Sequence, residues 1–109
     1  MPQDPATAGQ DVPSLRGTLA VLRAHEAELR TRGVRHVAIF GSVARADAIV
    51  SSDIDVLVEL DPAHVSLFDL MGIELRLMDI FGRRVDVVSK GGLRPGLDDS
   101  ILADAVNAF

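Results

Sequence analysis

The chain has 109 residues, enough for one domain with its own core, and its 48% apolar and 25% charged content is that of a globular protein. The absence of Cys excludes disulfides, zinc fingers and thiol chemistry, and no apolar run approaches the ~20 residues of a membrane span. Sixteen acids against eleven bases give a net charge of −5, concentrated in residues 53–109 with eleven acids and five bases; with no Trp or Tyr, this weighs against nucleic acid as a direct partner.

Residues 1–13 hold three of the five prolines and few large apolar residues, and read as a flexible tail ahead of one domain over 14–109. This acidic start does not read as a secretory signal, and a chain without Cys suits a reducing cytoplasm, the expected location. Ser14 is an N-cap for a helix running to about Arg32, with Leu15, Leu19, Leu22 and Leu29 on one face and Gly33 as its stop. VRHVAIF at 34–40 predicts a strand. Gly41-Ser42 follows at once, then an alanine-rich stretch at 43–49 able to hold a short helix. DIDVLVEL at 53–60 is the clearest strand, ended by Asp61-Pro62. Ser66 and Asp69 form a capping-box pattern that opens an apolar helix through Phe81, with Leu67, Leu70, Met71, Leu75, Met78 and Phe81 expected inward and Gly82 closing it. RRVDVVS at 83–89 predicts a third strand, 90–96 a loop, and 98–108 a last helix. Strands alternating with helices predict an α/β layer structure.

The carboxylates carry the chemistry. On a strand, Asp53 and Asp55 point the same way with α-carbons ~6.5 Å apart. At ~5 Å and an effective dielectric of ~20, their repulsion is ~3 kcal/mol, which a divalent cation would relieve. Oxygen ligands without His or Cys nearby suit Mg²⁺ or Mn²⁺. Asp86, inside the apolar run Val85-Asp86-Val87-Val88, needs a partner, either Arg83 or Arg84 or a metal shared with the other two. Gly41 lets backbone approach a ligand, a helix starting there would present N–H groups to phosphate, and Ser42 and Arg45 would add a donor and a cation. A phosphate cradle beside three carboxylates points to metal-assisted phosphoryl or nucleotidyl transfer. Lys90 and Arg94 flank Gly91-Gly92 and are read as plain surface or as contacts to nucleotide or partner.

Gly41-Ser42-Val43-Ala44-Arg45, then Ser52-Asp53-Ile54-Asp55-Val56-Leu57-Val58, then Val85-Asp86-Val87-Val88 resembles the minimal nucleotidyltransferase (MNT) family of the DNA polymerase β-like superfamily. The resemblance covers about residues 14–109. It implies the nucleotidyltransferase fold, a small mixed sheet flanked by helices in a single domain. It implies that Asp53, Asp55 and Asp86 are catalytic and hold Mg²⁺, two ions in all, and that Gly41 and Ser42, with Arg45, bind the phosphates of ATP. It further implies an antitoxin that transfers AMP to a tyrosine of a HEPN-domain toxin. Two alternatives stay open: neutralisation of the partner by binding alone, and transfer to a small-molecule or RNA hydroxyl. The sequence departs from the family's pattern twice: Ala46-Asp47 stands where relatives have Gly-Glu, and Phe109 lies near the position of a tyrosine.

Overall fold

The computed structural model describes residues 11–64, 66–92 and 97–109. The elements run α1 (Leu15–Ala24), α2 (Glu26–Thr31), β1 (Val34–Phe40), α3 (Gly41–Ala44), β2 (Ile54–Leu60), α4 (Leu67–Phe81), β3 (Val85–Ser89), α5 (Leu97–Asp104) and β4 (Val106–Asn107). The strands form one mixed sheet in the order β3-β2-β1-β4. β1 is antiparallel to both β2 and β4, while β2 and β3 are parallel.

Strand alternation divides the sheet into two chemically different faces. One face carries Val37, Ile39, Ile54, Val56, Val58 and Val85, packed against Leu19 and Leu22 of α1, Leu29 of α2 and Ile73, Leu77, Ile80 and Phe81 of α4. Each of these side chains contributes about 1.5–3 kcal/mol by leaving water. The other face carries Ala38, Phe40, Asp55, Leu57, Glu59 and Asp86, brought side by side by the register, and is covered only in part by α5. Among the described residues no helix is long and apolar enough to cross a membrane.

Local chemistry sets most boundaries as expected. The Ser14 hydroxyl accepts from the Gly17 N–H at 3.0 Å and starts α1; the Ser66 hydroxyl accepts from the Asp69 N–H at 3.1 Å and starts α4. Gly82, at φ 65°, ends α4 in the left-handed conformation that glycine adopts freely.

Four expectations are corrected. The helix over 14–32 is interrupted at His25, whose Nδ1 lies 2.9 Å from the Val21 carbonyl, giving α1 and α2. The short helix after β1 starts at Gly41 itself and lasts one turn, so it brings little macrodipole to the site. On α4, Leu67, Phe68, Met71 and Leu75 are exposed, and the core takes Ile73, Leu77, Ile80 and Phe81. The last helix stops at Asp104, after which Val106 and Asn107 pair with Ile39 and Ala38 and supply hydrogen bonds to the free edge of β1.

Of the expected tail, residues 1–10 lie outside the described residues; Pro13 is buried, and the Asp11 carbonyl accepts from the Arg83 guanidinium. Arg94 also lies outside them.

Candidate active site

The site is assembled by strand register. β1 ends with Phe40 opposite Asp55 of β2, and Asp55 lies opposite Asp86 of β3. Gly41, the residue after Phe40, thereby comes against the Asp55 side chain. Its backbone has φ 72°, and a Cβ at this position would overlap Asp55 Oδ2. Two independent constraints thus demand glycine here, one conformational and one of space. Ser42 is half-buried in the same turn.

Three carboxylates line up at this end of the sheet. Asp53 stands one residue ahead of β2, half-buried; Asp55 is half-buried on the strand; Asp86 is exposed on β3, an edge strand. The expectation that Asp86 sits inside a buried strand is corrected, since its side chain lies on the open face of an edge. Burial pushes the Asp55 carboxyl above its ordinary value, Asp86 and then Asp53 push it further, and Arg45 pulls the other way. A carboxylate so placed gains from any cation brought beside it.

Arg45 is held by two carboxylates. Its Nη1 lies 2.7 Å from Asp104 Oδ2 on α5 and its Nε 3.3 Å from Asp47 Oδ2, so it ties the α3 turn to α5. Ala46 beside it has φ 63°, the only non-glycine residue with positive φ among those described, at the position where the resemblance expects glycine.

The chemistry of the donor set fits a hard divalent cation: oxygens only, two of them on adjacent strands in register. Yet among the described residues no group of three His, Cys, Asp or Glu side chains is arranged to hold a metal ion. A closed three-carboxylate cage is not preformed. Mg²⁺ does not require one, because it commonly binds one or two carboxylates and completes its shell with water and substrate phosphates.

Farther along the same face is a cavity of about 220 Å³ whose lining includes Ala38, Leu57, Leu102, Ala105 and Asn107. At its end Glu59 lies 3.6 Å from Lys90 Nζ and 3.8 Å from His36 Nε2. Sequence reasoning missed Asn107 because it assigned 98–108 to helix. Glu59, two strand positions beyond Leu57, shares the parity and the face of Asp55.

The sequence profile of the nucleotidyltransferase domain matches residues 22–107, and the chain belongs to that family of nucleotidyl-transfer enzymes. It is 39% identical over 88 residues to the protein adenylyltransferase MntA of Thermococcus cleftensis, covering 80% of this chain and 88% of that one. A solved structure described as a minimal nucleotidyltransferase superposes with a TM-score of 0.74 at 35% identity, over 85% of this chain and 94% of the other. A chain in the complex of a tri-AMPylated Shewanella oneidensis HEPN toxin with an MNT antitoxin has a TM-score of 0.62 at 15% identity, over 84% and 71% of the two chains, a likeness of fold. The mixed sheet with helices is thus the nucleotidyltransferase fold that the resemblance implies.

Proposed function

We propose that this protein is a Mg²⁺-dependent adenylyltransferase that moves AMP from ATP to a tyrosine hydroxyl of a HEPN-type toxin, and so acts as its antitoxin. The observation that carries this reading is the register Phe40–Asp55–Asp86, which lines a glycine turn, a half-buried carboxylate and an exposed carboxylate across three adjacent strands. The relative's adenylyltransferase activity and the HEPN–MNT complex support the donor and the acceptor.

In this mechanism Gly41 and Ser42 receive the β- and γ-phosphates through backbone N–H groups and the serine hydroxyl. Asp53, Asp55 and Asp86 would hold the two Mg²⁺ ions, which would neutralise charge on the phosphates and on the leaving pyrophosphate. Asp86, exposed at the sheet edge, accepts the proton of the incoming hydroxyl. The acceptor oxygen forms a bond to the α-phosphorus while the bond to the α–β bridging oxygen breaks, and pyrophosphate leaves with that electron pair. Arg45 is assigned to holding the turn against α5 and to its field on Asp55, in place of direct phosphate contact.

The test is transfer of label from α-labelled ATP to the purified toxin. Asp55→Asn is expected to lower transfer at least 10³-fold, on the order of 4 kcal/mol of transition-state stabilisation, with the fold intact by circular dichroism. Retention of transfer by Asp55→Asn refutes the assignment. Protection of cells by Asp55→Asn in the absence of transfer would establish neutralisation by binding.

A further inference from the structure

We infer that the exposed stripe of α4 is an interface for a second copy of this chain, packed antiparallel about a two-fold axis between Met71 and Gly72. Four large apolar side chains lie outward on this helix: Leu67 is 69% exposed, Phe68 85%, Met71 49% and Leu75 61%. Phe68, Met71, Leu75 and the partly buried Met78 follow the three-four spacing of a coiled-coil seam, and Leu67 widens it. At ~100° per residue the stripe is turned well away from Ile73, Leu77 and Ile80, which are buried in the core. It is therefore a second apolar face and not the rim of the first. The four side chains make a patch on the order of 500 Å², at the upper end of what a monomer leaves in water and most of the ~800 Å² that each partner gives to a stable interface.

The stripe is complementary to itself, which is what an isologous pair requires. Phe68 and Leu75 lie ~5 Å along the axis on either side of the point between Met71 and Gly72. Reversed about that point, α4 sets Phe68 against the partner's Leu75 and Leu75 against the partner's Phe68. Met71 then lies over the partner's Gly72, where no side chain stands in the way. The bordering charges agree with this register. A two-fold axis brings like flanks of the two helices together, and helical spacing puts Asp69 and Glu74 on opposite flanks, so these acids do not meet. Asp79 comes level with the N-terminal end of the partner's α4, where the helix dipole favours an acid. The same flank carries His64 and also Arg32, whose Nη1 is 3.9 Å from the place a Cβ on Gly72 would take. Finally, α4 covers the sheet face opposite to the one that carries Asp55 and Asp86. Pairing through α4 leaves both carboxylate sites open, and a protein that offers a hydroxyl to them has no need of the stripe.

The experiment is sedimentation velocity of the full chain over a range of concentration, joined to cysteine cross-linking. The 11.6 kDa monomer is expected to double in mass with a dissociation constant in the micromolar range. Phe68→Ser and Leu75→Ser are each expected to weaken the dimer at least tenfold, with the circular dichroism of dilute protein unchanged. Leu102→Ser, at an exposed site on α5, is expected to leave the dimer intact. The chain has no cysteine, so cysteines introduced singly report the geometry. On mild oxidation Met71→Cys is expected to link to its own copy. Phe68→Cys and Leu75→Cys lie ~10 Å along the axis from their own copies and are expected to link to each other when mixed but not to themselves, because a disulfide needs α-carbons within ~7 Å. Self-links at all three positions overturn the inference by making the helices parallel. A parent that stays monomeric at every concentration overturns it, as does a dimer that neither serine variant weakens. A monomeric parent whose binding to the toxin falls in Phe68→Ser also overturns it, by giving the stripe to that protein. None of these outcomes depends on adenylyl transfer.

Discussion

Two residues of the glycine turn and its neighbour carry opposite lessons about φ > 0. Gly41 has no substitute, because any Cβ there meets Asp55. Ala46, at φ 63°, occupies a conformation that costs an L-residue about 1–2 kcal/mol, against the ~0.5–1 kcal/mol that glycine loses through its freer unfolded chain. Ala46→Gly is therefore expected to stabilise the protein by about 0.5–1 kcal/mol, read as a rise in the urea midpoint at constant slope. Asp55 gives a pH-dependent counterpart. Its folded carboxyl is raised by burial and by Asp86 and Asp53, so its ionised form opposes folding. That opposition is full above the folded value and gone once the pH falls below the ordinary carboxylate value. In chelator, Asp55→Asn is expected to be more stable than the parent at neutral pH, with the difference closing on acidification; thermal melts between pH 7 and pH 3 check it.

At the scale of elements, α4 shows where sequence periodicity fails. Its sequence, LFDLMGIELRLMDIF, is apolar nearly all round, so two different stripes fit helical spacing. What selects between them is the sheet, which receives Ile73 and Leu77 and leaves Phe68 85% exposed. Leu77→Ala is expected to cost about 2–5 kcal/mol through the cavity it leaves, and Phe68→Ser less than about 0.5 kcal/mol, by denaturant titration. Equal costs would refute the assignment of Leu77 to the core and Phe68 to the surface. The orientation of α4 is held from its side by Arg76, which grips Glu28 of α2 in two bonds, Nε to Oε2 at 2.6 Å and Nη2 to Oε1 at 3.1 Å. β4 was illegible for a related reason. Val106-Asn107 is too short to show alternation, and only the open edge of β1, a tertiary fact, draws it into the sheet. β1 and β2 were legible because β-branched residues and turn chemistry agree along their whole length.

For the whole molecule, the charge imbalance noted in the sequence gains a location. Without Asp53, Asp55 and Asp86 the net charge would be −2 instead of −5. The sequence proposes these three residues together through an Asp-x-Asp after a Gly-Ser turn with a third acid on a later strand. Their arrangement does not follow from the sequence: the pairing of Asp55 with Asp86 depends on a parallel register that joins strands separated by α4. Under the proposed function, cations and nucleotide brought to these three acids stabilise the folded state. Mg²⁺ with a nonhydrolysable ATP analogue at a hundredfold excess over its Kd should add ~2.7 kcal/mol. For a domain of this size that corresponds to a rise in melting temperature on the order of 10 °C. Mg²⁺ alone should give a smaller rise, because an incomplete set of protein ligands relies on phosphate oxygens to complete the ion's shell. Asp55→Asn, despite its higher stability in chelator, should lose most of the response to the pair. That combination, a more stable apoprotein that no longer responds to its ligands, separates a binding carboxylate from one that merely supports the fold. A parent protein whose melting is indifferent to Mg²⁺ and nucleotide together would leave the acidic end of the sheet as surface charge.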